Sequence, residues 1–235
     1  MKNESIDGLG DVTYIKRKNT RNINVKIEPY GKLKVSMPHN IPYYTARNFI
    51  LKNKQHILSK LDYLNDKLTQ FDHTSQFHTM WHELKINGSE CLKTYYRINS
   101  HSTVIYYPNN SNIFEPEVQN KIREAINETL RTEAKIYLPQ RLKQLALKHR
   151  FHYNKVFLKN MKTLWGSCSY RNNINLNIHL MRLPRRLTDY IILHELTHTI
   201  FKNHGPQFWK LLESILDSDI NSLKEELRKF SPQIY

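Results

Sequence analysis

The residues best equipped for chemistry lie in one short run, His194-Glu195-Leu196-Thr197-His198. On an α-helix, positions four apart stand one turn apart on the same face, separated by about 6 Å of rise. Two imidazoles so placed can converge on one metal ion, each at about 2.0–2.1 Å from zinc. Glu195 lies about 100° around the helix from His194, where its carboxylate can reach a metal-activated water without ligating the ion. This is how a metal-dependent hydrolase divides the labour: the ion lowers the pKa of the water to about 7 and the carboxylate takes the proton. A third candidate ligand, His204, follows a few residues later. On a continuous helix it would lie about 15 Å beyond His194 and turned away. It joins the site only if the helix gives way after His198 and the chain folds back. Lys202, Asn203, Gly205 and Pro206 are stop signals of that kind, Asn203 being tolerant of a left-handed backbone. Three protein ligands leave a fourth position open, as catalytic zinc sites do. The expectation is one Zn2+ held by His194, His198 and His204, with Glu195 as general base.

Other candidates are weaker. His82-Glu83-Leu84 imitates the start of the motif, but Ile86 stands where the second His would be, and the pattern around it is that of a strand. Cys168 reads chiefly as a small residue packed in a strand, with a reactive thiol as the lesser reading. Trp165–Ser169 can be an edge strand that pairs with an extended peptide, or a plain core strand; the two weigh equally. Tyr190, one turn before His194, can donate to a developing oxyanion, but a packed core tyrosine is the stronger reading. No Gly-rich phosphate loop and no Ser-His-Asp spacing stands out, and substrate-binding residues are not legible.

The elements that must position these residues follow from periodicity. Val12–Arg17, 22–28 and 32–37 read as strands, the last two joined by a turn at Pro29-Tyr30-Gly31. Residues 42–68 have helical spacing through Phe49, Ile50, Ile57, Leu58, Leu61 and Leu64. Further strands are expected near 79–86, 92–98 and 103–107. Pro108-Asn109-Asn110-Ser111 marks a loop and a boundary, giving an N-terminal β-rich subdomain with one long helix over 1–111 and a core over 112–235. In the core, a long helix from about Glu115 to His149 should kink or break at Leu138 because of Pro139. Strands follow at 155–161, 163–169 and 173–180, the last two joined at Tyr170-Arg171-Asn172. Pro184 or Thr188 then opens a helix running to about Lys202, with closing helices at 206–216 and 220–230. Mostly hairpin connections favour an α+β fold with antiparallel sheet.

Composition limits the setting. The chain has 235 residues and a formal net charge of +15. No run of about 18 apolar residues suggests a membrane span, and the polar start MKNESIDGLGD lacks the core of a secretory signal. Cys91 and Cys168 cannot build a disulfide framework or a CxxC metal site, so the compartment reads as reducing cytoplasm. From Ala134 to Thr188 there are twelve Lys or Arg and no Asp or Glu. Such a block is either a solvated face or a surface for a polyanion such as nucleic acid, with Glu213 or Glu225 able to cover part of it after folding.

Several runs together resemble a known family: Met161-Lys162-Thr163-Leu164-Trp165-Gly166-Ser167-Cys168-Ser169, Ile174-Asn175-Leu176-Asn177, Asp189-Tyr190 leading into the motif, Asn203-His204, and Phe208-Trp209. They are similar to the YgjP-like metallopeptidase family, related to the SprT-like zinc metalloproteases. Tyr14–Met37, the helix with Phe49 and Ile50, and Asn87-Gly88-Ser89-Glu90 extend the likeness over nearly the whole chain. Leu164, where Arg is common, and His56, where Trp is usual, depart from it. The resemblance implies a zincin-type core with the motif helix on a small antiparallel sheet, zinc at the three histidines and a catalytic Glu195. Peptide-bond hydrolysis is the leading expectation, with a peptide or protein substrate. Hydrolysis of another bond, or a nucleic-acid-associated zinc protein acting near DNA-bound proteins, is the alternative.

Overall fold

The computed structural model describes residues 1–27, 33–66 and 69–232, without the side chains of 64–66. The chain divides after Thr69 into two compact units. Both are mixed α and β, and every sheet carries parallel as well as antiparallel pairing.

In the first unit, β1 (Lys2–Ile6), β2 (Gly10–Arg17), β3 (Asn24–Ile27) and β4 (Leu33–Pro38) form one sheet in the order β1-β2-β4-β3. Alternation buries Val12 and Tyr14 of β2 with Leu33, Val35 and Met37 of β4, the period-two signature of a strand with one covered face. Ala46, Ile50 and Ile57 join the same core. β3 and β4 pair antiparallel as the hairpin reading expects; the turn Pro29-Tyr30-Gly31 lies outside the described residues. The single expected helix is two, α1 (Tyr43–Lys52) and α2 (Lys54–Asp66). Asn53 separates them, its side-chain amide donating to the Phe49 carbonyl at 2.8 Å. Asn competes with the helix for backbone partners in this way.

The second unit begins with β5 (Glu83–Ser89), β6 (Tyr95–Ile98) and β7 (Ser102–Pro108), ordered β5-β7-β6, followed by α3 (Pro116–Lys148). The boundary lies at Thr69 and not at residues 108–111, because Leu84, Ile86, Ile105 and Tyr107 share one core with Val118, Ile122 and Ile126 of α3. A loop between elements that share a core is a connection and not a domain border. α3 also runs unbroken through Pro139. A proline inside a helix costs about 3 kcal/mol, but Ala134, Leu138, Leu142 and Leu145 are buried on its inner stripe and together outweigh that loss.

The decoy His82 has a structural role. Its ring nitrogens meet Glu133 at 2.6 Å and the Asn99 carbonyl at 2.9 Å. Glu133, fully buried on α3, also accepts from Thr79 Oγ1 and from the Trp81 amide. The segment before β5 is thereby tied to α3.

The remaining elements are β8 (Val156–Lys159), β9 (Gly166–Cys168), β10 (Ile174–Asn177), a 3-10 turn (Ile178–Arg182), α4 (Arg185–Thr197), α5 (Pro206–Ile215) and α6 (Ile220–Leu227). The sheet order is β8-β10-β9. This corrects the antiparallel expectation. β9 and β10 are antiparallel, but β10 returns between β9 and β8 and runs parallel to β8. Asn172 turns the β9–β10 hairpin with a left-handed φ of 56°, a conformation Asn tolerates. α4 lies against β9 and β10.

Candidate active site

α4 owes its position to an apolar majority. Leu187, Tyr190, Ile191, Ile192, Leu193 and Leu196 are all buried, so the helix is fixed before any ligand is considered. It ends at Thr197, with His198 as its cap, earlier than Lys202. The last turn tightens as the amides of Thr199 and Ile200 bond to the carbonyls of Leu196 and Thr197 at 2.9 and 3.1 Å. Asn203 is not left-handed; the reversal is made by this tightened turn. The Lys202 ammonium ties the returning chain to the Ser169 carbonyl at 3.3 Å and to the Asn172 side chain.

The fold-back brings the three histidines together. His204 Nε2 lies 3.0 Å from His194 Nε2 and 3.1 Å from His198 Nε2. Tetrahedral zinc with N at about 2.0–2.1 Å sets ligand nitrogens about 3.3 Å apart, so the spacing fits one small divalent ion. The chemistry of the donors fits as well. His198 Nδ1–H donates to the Phe201 carbonyl at 3.0 Å, which leaves its Nε2 lone pair free and fixes the ring. Burial first, then the neighbouring His198 and His204, push the His194 pKa down to about 3. Burial also lowers that of His198. The three Nε2 atoms face one point, as ligands to a single cation would. Among the described residues, these three histidines are the one cluster able to hold a metal.

Behind the three histidines stands an aromatic wall from α5. The Phe208 ring is fully buried and lies 4.9, 4.6 and 4.8 Å, between centroids, from the rings of His194, His198 and His204. Trp209 stacks on His204 at 5.5 Å and donates its indole N–H to the His204 carbonyl at 3.0 Å. Lys224 of α6 sits 3.8 Å over the other ring of this stack, Trp209. Phe208 and Trp209 carry no ligand chemistry, so spacing rules gave them no role. Their signals were the family resemblance, in which the pair takes part, and their place just after a helix-opening Pro206. Phe208→Ala is expected to cost about 3–5 kcal/mol of stability, as aromatic truncation in a packed core does, and to weaken metal binding because all three rings lose their support. Denaturant unfolding and chelator competition measure the two effects; Phe208→Leu should restore most of both.

Glu195 is 6% exposed, and burial pushes its pKa up to about 8. Tyr190 is a core residue, 3% exposed, its ring edge-on to His194 at 6.1 Å. Cys168 is half-buried on β9, and burial raises its thiol pKa, which favours the packed reading over a reactive one. β9 is an edge strand. Trp165 and Ser169 bond to Asn177 and Asn173 of the neighbouring strand, at 2.9 and 2.8 Å. Alternation along an antiparallel ladder therefore turns the N–H and C=O of Gly166 and Cys168 toward the open side.

The model of the YgjP-like metallopeptidase domain matches residues 21–230. The chain belongs to the YgjP-like metallopeptidase family. It is a metal-dependent peptidase, and its family accounts for a divalent ion at a site of this kind. Two solved structures are similar over a smaller part. The metallopeptidase zymogen jannalysin of Methanocaldococcus jannaschii is 23% identical, covering 39% of this chain and 93% of that one, with a TM-score of 0.35. The zymogen abylysin of Pyrococcus abyssi is 18% identical over the same shares, with a TM-score of 0.35. No curated protein matches the chain significantly.

Of the basic block in this YgjP-like chain, Arg141 pairs with Asp189 and Arg186 with Glu226. Arg182 is half-buried and donates to the Ser231 carbonyl at 2.6 Å. Acids beyond the block, Asp189 and Glu226, thus cover part of it. Phe157 and Lys159 are on the exposed side of β8, and Lys155, just before the strand, is exposed as well. No described helix is long and apolar enough to cross a membrane.

Proposed function

We propose that this peptidase uses one zinc ion held by His194, His198 and His204, with Glu195 as the general base. The observation that carries the reading is the approach of His204 Nε2 to 3.0 Å from His194 Nε2 and 3.1 Å from His198 Nε2, at the end of a helix that also carries a buried carboxylate. Lewis-acid polarisation of a water and of the scissile carbonyl is the chemistry a zinc ion supplies in such a site. Glu195 takes the proton of the attacking water and delivers it to the departing amine. Its burial raises its affinity for that proton, which suits a group that must both accept and return it. His204 is exposed, so the site opens on its side to substrate. The open edge of β9 offers the Gly166 and Cys168 amides and carbonyls to an extended peptide, which would bind as an added strand. The test is capture. Zinc-loaded Glu195→Gln protein, incubated with a mixed peptide pool, should retain uncut peptides that the wild type cleaves. Cleavage of the pool by the variant at the wild-type rate would end the reading.

A second property follows from the charge. Phe157 and Lys159 on the exposed side of β8 and the exposed Lys155 just before it, in a segment of twelve cations without an acid, favour binding of a polyanion such as single-stranded nucleic acid. Cations neutralise phosphates and an exposed ring stacks on bases. Binding to single-stranded DNA should weaken steeply as salt rises, and Lys155→Ala/Phe157→Ala/Lys159→Ala should weaken it further. No binding at low salt would leave these residues as a solvated face.

A further inference from the structure

We infer that Gly166 is a positioning residue that sets the orientation of the Glu195 carboxylate. The inference rests on the reading of Glu195 as the general base. Gly166 opens β9 at the edge of the sheet, where α4 packs. Its backbone is extended and demands no glycine; what demands it is space. A Cβ at this position would stand 2.7 Å from Glu195 Cγ, 2.8 Å from Oε1 and 3.0 Å from Cδ. The nearest of those atoms, Cγ, belongs to the stem of the side chain, so the carboxylate cannot escape by swinging its tip alone. Something must move, and the packing says what.

β9 is held firmly. The fully buried Asn177 side chain donates to the carbonyls of Met161 and Leu164 at 2.8 Å each and of Pro232 at 3.0 Å. The Asn177 amide bonds to the Trp165 carbonyl at 2.9 Å. The residue before Gly166 and the loop leading to it are therefore tied to β10 and to the chain near the C-terminus. α4 is equally fixed, with Ile192, Leu193 and Leu196 in the core on the helix that carries Glu195. Neither backbone can yield cheaply, so a methyl group at 166 turns Glu195 about its own torsions and away from the position it holds. Gly166 thus does two things at once. Its amide and carbonyl face the open edge, and its missing side chain lets the carboxylate lie directly against that edge.

A stability cycle, metal content and kinetics together test this. Gly166→Ala should lower the melting midpoint of the zinc-loaded protein by about 3 °C or more, as overpacking does. In a Glu195→Ala background the same change should cost less than about 1 °C, because the obstacle is gone. Zinc content should remain that of the wild type, since no histidine is touched. On a quenched peptide substrate, kcat should fall about 10²-fold, the scale of a 1 Å misplacement, with KM nearly unchanged. An equal midpoint loss in both backgrounds, or an unchanged kcat, would overturn the inference. If Gly166→Ala alone does not fold, recovery of folding in Gly166→Ala/Glu195→Ala supports the contact, and failure of both variants overturns it. The base reading is checked apart from this by Glu195→Gln on the same substrate. Full activity of that variant would sink the base reading and the kinetic consequence of Gly166, while the stability cycle still reports the contact.

Discussion

Glu195→Gln protein is expected to bind zinc as the wild type does and to hydrolyse peptides about 10²–10⁴-fold more slowly, the range general-base catalysis supplies. Gln fills the same pocket but cannot take a proton. Glu195→Asp should also be poor, because one methylene withdraws the carboxylate from the water. Metal content by elemental analysis and kcat/KM on one validated peptide decide the matter; a wild-type rate would remove Glu195 from the chemistry. The same pair of proteins carries a pH signature when metal-free. Unfolded, Glu195 titrates near 4.5; folded, near 8. Between those values the native state holds a proton that the unfolded chain has released. Its contribution to stability is therefore complete below about 4.5 and drains away as pH rises to about 8. His194 acts in the opposite sense: with a folded value near 3 against 6.5, its contribution is complete above 6.5 and lost as pH falls toward 3. The two oppose each other from 4.5 to 6.5. Above 6.5, Glu195 acts without that counterweight, so raising the pH to 8 should cost the wild type about 2 kcal/mol relative to Glu195→Gln. Denaturant midpoints at the two pH values give the difference, and an equal loss in both proteins would contradict it.

The second large effect is expected from His204→Ala. Removing a ligand should reduce zinc affinity by more than the ~10–100-fold that loss of an outer-shell partner costs, and should abolish hydrolysis at limiting zinc. The metal-free fold should hardly change, because His204 is exposed and outside the core. Chelator competition measures the affinity and thermal unfolding of the metal-free protein the fold. Full zinc retention with unchanged activity would take His204 out of the ligand set.

The clustering of the three histidines was legible because its information is local. A four-residue spacing on a helix places two imidazoles on one face, and Gly205 and Pro206 announce that the chain must turn. What was not legible came from residues distant in sequence. Nothing in Gly166 or Glu195 alone says that one lies against the other. Phe208 reads as an ordinary core aromatic until α5 sets it under three imidazoles. The strands were found near their places and the β3–β4 and β9–β10 hairpins pair as read, but the parallel pairings were not legible. β10 runs parallel to β8 because the β9–β10 hairpin folds β10 back beside β8 and leaves β9 at the edge, a fact of topology that alternation cannot encode. β1 was missed because Lys2–Ile6 carries a polar pattern and its burial, apart from Ile6, is slight. α3 outlasted Pro139 because its packed stripe outweighed a local rule, whereas at Asn53, whose amide takes the Phe49 carbonyl, the helix breaks although Ile50 and Ile57 are buried on either side. The domain border was misplaced for the same reason: a polar loop at 108–111 is visible in sequence, and the core shared across it is not.

The three imidazoles come from one short stretch, with His198 between His194 and His204. Loop-closure entropy grows only slowly with length, about 0.6 kcal/mol per doubling, and is least for such near neighbours. An unfolded or nascent chain can therefore gather the same ligands at small entropic cost and keeps some affinity for the ion. An ion that binds both states stabilises the fold only by the ratio of its two affinities. Excess zinc should thus raise the unfolding midpoint by less than its native affinity alone would give. On the proposed zinc reading, what folding adds to that affinity is the holding of the rings by Phe208 and Trp209.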